Sequence, residues 1–167
     1  MDRQNNHLLV MQLNINGCSQ NAIAALNNYI NREKAKVVLL SETKSSTISD
    51  SDFDNYKVLL KPNKLNPKQK GGVAILIHES ITAERLHHLE KDESDAIFTA
   101  LTVSNRRILV CGAYVPPTNL PMLKVMEQQI VTAINNMSYQ RCSLFAAFGD
   151  FNGRHPHWGD HATNRQG

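Results

Sequence analysis

Apolar residues gather in short runs along the chain, separated by polar stretches and by Gly and Pro. Leu8–Ile15, Val37–Leu40, Tyr56–Leu60, Val73–Ile77, Ala96–Val103, Ile108–Val115 and Ser143–Phe148 read as strands. Several of them are apolar at nearly every position, as strands covered on both faces are. Tyr56–Leu60 and Ala96–Val103 alternate in part, which predicts places nearer a sheet edge. Gly71-Gly72 before Val73 and Pro116-Pro117 after Val115 set two strand ends.

Two segments carry helical spacing instead. Between Ser19 and Lys34, Ile23, Leu26 and Ile30 share one face, widened by Ala22 and Ala25, with Ser19 placed to cap the start. Between Leu120 and Met137, Leu123, Met126, Ile130, Ile134 and Met137 form a second stripe, with Asn119 as cap and Pro121 in the tolerant first turn. The methionines there read as core filler. The order strand, helix, several strands, helix, strand predicts a single layered α/β domain with helices packed on a sheet. No internal repeat, low-complexity tract or linker divides it.

Composition narrows the class. The chain has 167 residues, 41% of them hydrophobic, with 18 Lys and Arg against 15 Asp and Glu for a net charge of +3. That composition excludes disordered, collagen-like and coiled-coil chains, and the mild positive charge permits an anionic partner without demanding one. No apolar run approaches the ~20 residues that cross a bilayer, and the polar, Asn-rich start does not resemble a signal peptide. Cys18, Cys111 and Cys142 are odd in number and far apart, which argues against a disulfide framework and for a reducing compartment. The Lys-rich, Pro-containing stretch Lys61–Lys70 reads as a solvated loop. The acidic set Glu90, Asp92, Glu93 and Asp95 reads as another exposed connection.

The informative positions are polar residues at the ends of apolar strands, where layered α/β proteins build their sites. Asn14 and Asn16 close the first strand, Glu42 follows the second, Tyr114 ends the sixth, and Asp150 and Asn152 follow the seventh. A carboxylate at the end of a buried strand is costly unless paired, hydrogen-bonded or metal-bound. Singly, Glu42 reads equally as a capping or salt-bridged residue, and Asp150 with Asn152 as an Asx turn. Together, two carboxylates and several amides at successive strand ends suggest a hard oxygen-ligand site of the Mg²⁺ kind. The absence of Cys and His pairs at zinc spacing points the same way.

Five segments then occur in a familiar order: Gln12-Leu13-Asn14-Ile15-Asn16-Gly17, Ser41-Glu42-Thr43-Lys44, Gly71-Gly72-Val73-Ala74-Ile75, Ala113-Tyr114-Val115-Pro116-Pro117, and Gly149-Asp150-Phe151-Asn152-Gly153-Arg154-His155-Pro156-His157-Trp158-Gly159. They resemble the endonuclease/exonuclease/phosphatase superfamily, and within it the apurinic-like endonuclease domain of non-LTR retrotransposons. The resemblance covers residues 8–167. It implies a DNase I-like α/β fold, a two-layer β-sandwich flanked by helices, and Mg²⁺-dependent cleavage of a DNA phosphodiester, with Mn²⁺ as substitute. Glu42 would be the main metal carboxylate with Asn14 beside it, and Asp150 would orient or activate the attacking water. Asn152 would hold the scissile phosphate, and Tyr114 would stabilise it by a hydrogen bond. Asn16, Arg154 and His155 would contact nucleic acid. Implied partners are double-stranded DNA and a fused reverse transcriptase, with no membrane, in the nucleus or in the cytoplasm before import.

The match also has a departure. Family members continue with further strands, a threonine, a second metal-side aspartate and a Ser-Asp-His motif, whereas this sequence stops after Thr163-Asn164-Arg165-Gln166-Gly167. The expectation is therefore that residues 1–167 are the N-terminal two-thirds of the domain, incomplete at the C-terminus, with little or no activity of their own, because catalytic groups act as a unit. His155, His157 and His161 read as packing or substrate contacts rather than a metal site. Two rival readings are a phosphoesterase of the same superfamily acting on small phosphates, and a non-catalytic remnant that binds DNA or protein.

Overall fold

The computed structural model describes residues 8–63, 71–117, 119–154, 157, 161 and 163. Its elements are β1 (Val10–Asn14), α1 (Gln20–Glu33), β2 (Val37–Ser41), β3 (Tyr56–Lys61), β4 (Val73–His78), β5 (Thr82–Arg85), β6 (Asp95–Val103), β7 (Arg106–Tyr114), α2 (Leu120–Asn135) and β8 (Leu144–Asp150). They form two four-stranded sheets, in the orders β1-β2-β4-β3 and β5-β6-β7-β8.

The sheets face each other across an apolar layer. Leu39, Ile75 and Ile77 from one sheet meet Ile97, Leu101 and Val110 from the other, all at most 3% exposed. The uninterrupted apolar character of β2 and β4 follows from this, since their opposite faces are covered as well. There α1 lays Leu26 and Ile30 against Val38, Leu40, Ala74 and Leu76. On the far side α2 lays Met126 and Ala133 against Phe98, Ala100, Leu109 and Cys111. The result is a β-sandwich between two helices, as the resemblance implies.

Both helices start where their caps predict. The Ser19 hydroxyl accepts from the Ala22 amide at 3.2 Å, and the Asn119 carbonyl oxygen accepts from the Met122 amide at 3.1 Å. On α2 the stripe is narrower than its spacing predicts, for Ile134 is 45% exposed.

Four other expectations are corrected. β6 lies inside its sheet, between β5 and β7, and is buried over Asp95–Leu101; Thr99 sits on a covered face, while Thr102, near the strand's end, is exposed. β8 is apolar but pairs only with β7 among the described residues, and its side chains are mostly half-buried. Asp95 is 3% exposed and Glu90 forms a bidentate ion pair with Arg85, so the two ends of the acidic connection are folded into the protein, while Asp92 and Glu93 between them are exposed as expected. Lys61 is 8% exposed and donates its ammonium to the carbonyls of Lys91 and Ala96 at 2.6 and 3.2 Å, so the Lys-rich stretch begins inside a strand. Its remaining lysines, Lys64, Lys68 and Lys70, lie outside the described residues.

Two parallel pairings decide where chemistry gathers. β1 runs parallel to β2 and β7 parallel to β8, in registers that set Asn14 beside Ser41 and Tyr114 beside Asp150. The C-terminal ends of all four strands thus emerge at one end of the sandwich. The antiparallel partners bring the starts of β4 and β6 to the same end, with Ser41 opposite Val73 and Tyr114 opposite Asp95.

Candidate active site

Asn14 stands between two carboxylates. Its Nδ2 donates to Glu42 Oε1 and to Asp150 Oδ2, each at 2.9 Å, and its Oδ1 accepts from the Asn16 amide at 3.1 Å. One amide group thus joins the ends of β1, β2 and β8, and with them the two sheets. Asp150 is fixed further through Oδ1, which accepts from the Asn152 amide at 3.1 Å. That is the Asx turn anticipated for Asp150 and Asn152, and it coexists with the site.

Glu42 has three partners. Besides Asn14, it receives the Tyr114 hydroxyl and lies 3.5 Å from the Lys44 ammonium. Burial pushes its carboxyl up, but the hydrogen bonds from Asn14 and Tyr114 and the Lys44 charge outweigh that, and hold it below the usual carboxylate range. Tyr114 is 1% exposed; burial, its bond to Glu42 and the nearby carboxylates raise its phenol well above the ordinary value. Both groups therefore hold one charge state at neutral pH: Glu42 an anion, Tyr114 a neutral donor.

Of the other predicted residues, Asn16 adopts a left-handed conformation (φ 46°) and its Oδ1 accepts from Lys44 Nζ. Asn152, also left-handed at φ 49°, donates Nδ2 to the Val115 carbonyl at 2.9 Å, which ties the loop after β8 to the end of β7. Arg154 is exposed just beyond it. His155 lies outside the described residues. Asn14, Glu42, Tyr114 and Asp150 are thus brought into one hydrogen-bonded group, with Asn16 and Asn152 at its borders.

Lys44 was not singled out by sequence reasoning, yet it bridges Glu42 and Asn16. The signal was there: it is the one cation in Ser41-Glu42-Thr43-Lys44, two residues from a strand-end carboxylate. Non-glycine residues with positive φ also cluster here, at Asn16, Glu42, Lys44 and Asn152. Such conformations cost on the order of 1–3 kcal/mol each and persist where the surroundings over-determine them.

The donor set fits a hard divalent cation. Two carboxylate oxygens converge on one point, which the Asn14 NH₂ holds with its partial positive charge. Turning that amide over would offer Oδ1 there instead, at the loss of the bond from the Asn16 amide. Among the described residues there is no group of three or more His, Cys, Asp or Glu placed to hold a metal, so a zinc-type centre does not fit. A cation that takes one or two carboxylates and completes its shell with water and phosphate does.

The architecture is thus a β-sandwich between two helices, with carboxylates, amides and a tyrosine gathered at the strand ends of one pole. Residues 11–167 match the model of the Endonuclease/Exonuclease/phosphatase family, and the chain belongs to that family. Among solved structures it resembles the endonuclease domain of TRAS1, a telomere-specific non-LTR retrotransposon, at 16% identity and a TM-score of 0.73, covering 95% of this chain and 66% of that one. It also resembles the catalytic domain of human Nocturnin with bound sulfate anion (16%, 0.63, 87% and 64%). A third likeness is to truncated Caenorhabditis elegans TDP2 (14%, 0.59, 95% and 69%). At these identities the likeness is one of fold. No curated protein sequence matches the chain.

Proposed function

We propose that this site is the metal- and phosphate-binding side of a DNA endonuclease domain from a non-LTR retrotransposon protein. In the longer protein, fused to a reverse transcriptase, it would nick chromosomal DNA and so prime reverse transcription. The observation that carries the reading is the convergence of Glu42 and Asp150 on Asn14, with the Tyr114 hydroxyl on Glu42. The resemblance to the TRAS1 endonuclease domain and the Gly149–Gly159 motif support DNA over small phosphates as substrate.

Glu42 with Asn14 would hold Mg²⁺, which when bound would supply charge stabilisation to the phosphoryl oxygens. The chain's own groups do the rest of what can be assigned. Glu42 is kept anionic by its three donors. Asp150 is held by Asn14 and by the Asn152 amide with its carboxylate at the site, where it orients a water and accepts its proton. Tyr114 remains protonated as a donor beside the phosphate. Asn152, Asn16 and Arg154 line the approach and contact the backbone of the DNA. Because the chain spans 66% of the TRAS1 domain chain, full cleavage activity is assigned to the longer protein, and slow or no nicking to these residues alone.

The test is incubation with supercoiled plasmid and Mg²⁺, beside EDTA and Glu42→Ala controls, read as nicking and as plasmid retention at low salt. Mg²⁺-dependent retention or nicking, lost in both controls, supports the reading. Retention indifferent to EDTA and to Glu42→Ala favours a non-catalytic DNA-binding role instead. Release of phosphate from small esters without any action on plasmid would replace DNA as the substrate class.

A further inference from the structure

Asp95 opens β6 at the same pole, 3% exposed. Its Oδ2 accepts from the Gly72 amide at 3.0 Å and from Asn63 Nδ2 at 3.2 Å. Behind it, Lys61 donates to the carbonyl of Ala96, the next residue, so a buried cation faces the carboxylate across the sandwich. A buried carboxylate needs such partners, and structural support is one sufficient reason for them. The direction of the next hydrogen bonds argues for more.

Gly71 and Gly72 are left-handed, at φ 88° and 80°, and their carbonyls accept from the amides of Lys44 and Thr43 at 3.1 and 3.2 Å. Those amides directly follow Glu42, itself left-handed at φ 53°, whose own carbonyl accepts from Gly17 at 2.8 Å. The conformation that aims the Glu42 side chain at Asn14 and Asp150 is unfavourable for a non-glycine residue. It is held from the far side by the Gly71-Gly72 turn. There is no slack in that support: a Cβ on Gly71 would lie 2.3 Å from Asp95 Oδ2, and one on Gly72 2.6 Å from Thr43 Oγ1. Asp95 is also the register partner of Tyr114, the other residue that grips Glu42.

We propose that Asp95 is a positioning residue: its carboxylate fixes the Gly71-Gly72 turn, and through the Thr43 and Lys44 amides it fixes the backbone that presents Glu42 to the site. The metal consequence rests on the function proposed above; the conformational one stands without it.

Both are read on the chain with Mn²⁺ as probe. Free Mn²⁺ is followed by its paramagnetic resonance, and the Glu42, Thr43 and Lys44 amides by ¹H–¹⁵N correlation. Asp95→Asn keeps the volume but confronts the Gly72 and Asn63 donors with an amide. It is expected to shift the Thr43 and Lys44 resonances and to weaken Mn²⁺ binding about tenfold, the scale of lost outer-shell support, while Leu26→Ala under α1, destabilising but remote, changes it by less than about twofold. Wild-type affinity and unshifted amides in Asp95→Asn overturn the proposal, as does equal weakening in Leu26→Ala. If wild type binds no Mn²⁺, the metal reading fails, and the amide shifts alone decide the positioning role. If Asp95→Asn does not fold, Asn63→Ala, which removes one donor and keeps the carboxylate, is read the same way: shifted Thr43 and Lys44 amides support the proposal, unshifted ones overturn it.

Discussion

Asn14 Nδ2 lies 2.9 Å from Glu42 Oε1 and 2.9 Å from Asp150 Oδ2, so one neutral amide separates two carboxylates delivered by different sheets. Remove it and the two anions face each other across a gap with Lys44 and Tyr114 on the Glu42 side. Asn14→Ala is therefore expected to lose about 1–3 kcal/mol of stability in urea denaturation at neutral pH, because three exposed hydrogen bonds, two of them to carboxylates, go with the amide. Asn14→Asp adds a third carboxylate at the same point and is expected to be less stable still without divalent ions. It should recover more in Tm on adding Mg²⁺ than wild type does. Equal Mg²⁺ shifts in wild type and Asn14→Asp would show that no cation occupies this point.

The acid limb of stability tests the Glu42 environment. Its folded carboxyl sits below the ordinary value of 4.5. The stabilisation is thus fully present above that value and is lost as pH falls through the depressed folded one. Glu42→Gln should flatten the fall in unfolding free energy between about pH 5 and about pH 3. Asp95 has the opposite sign. Burial raises its carboxyl above 3.8 against the pull of Gly72, Asn63 and Lys61, so its contribution is present below 3.8 and is lost as pH rises through the raised folded value. Asp95→Asn should therefore steepen the acid loss that Glu42→Gln relieves. Denaturation midpoints of the two variants across this range are the measurement.

These two carboxylates also show what was legible in the sequence. Glu42 stood out because it directly follows β2, five wholly buried residues, where a charge needs a reason. Asn14, Tyr114 and Asp150 were found in the same way, at the ends of apolar runs. Their meeting across 136 residues, through a single amide, depends on two parallel pairings that no local pattern encodes. Asp95 was hidden by its neighbours: four acids in six residues resemble a solvated turn, and the Gly72 amide, the Asn63 side chain and the Lys61 ammonium, all remote in sequence, explain its burial. β5 escaped because Thr82–Arg85 alternates exposed and half-buried side chains around mostly polar residues, and exists by pairing with β6.

Gly149 precedes Asp150 in β8, and its lack of a side chain is a packing requirement. A Cβ there would lie 2.0 Å from the Ala113 carbonyl oxygen and 2.8 Å from its carbon, both backbone atoms of β7. No rotamer change relieves that contact, so Gly149→Ala must push β8 away from β7 and carry Asp150 away from Asn14. The expected cost is about 2–4 kcal/mol, at the upper end of single substitutions, and divalent-ion binding should weaken with it. Gly112→Ala, whose Cβ would meet the Leu39 and Ile75 side chains at 2.9 and 3.1 Å, is expected to cost less, because side-chain ends can yield. Reversal of that order in urea denaturation would contradict the tight β7–β8 pairing.

Tyr114→Phe isolates a single hydroxyl. The ring fills the space between the sheets at 1% exposure, and phenylalanine keeps that packing. What is lost is the donor on Glu42, so two changes should appear together. The Glu42 carboxyl should rise toward its ordinary value, moving the acid limb of the stability profile to higher pH. Stability at neutral pH should fall by only about 1 kcal/mol, since one hydrogen bond and no packing is lost. At the alkaline end the sign reverses. The phenol is raised above 10 in the folded protein, so wild type loses stability as pH climbs past the unfolded phenol's value. Tyr114→Phe should be spared that loss. Parallel wild-type and Tyr114→Phe curves at both ends would mean that the hydroxyl does not engage Glu42, and would remove Tyr114 from the site.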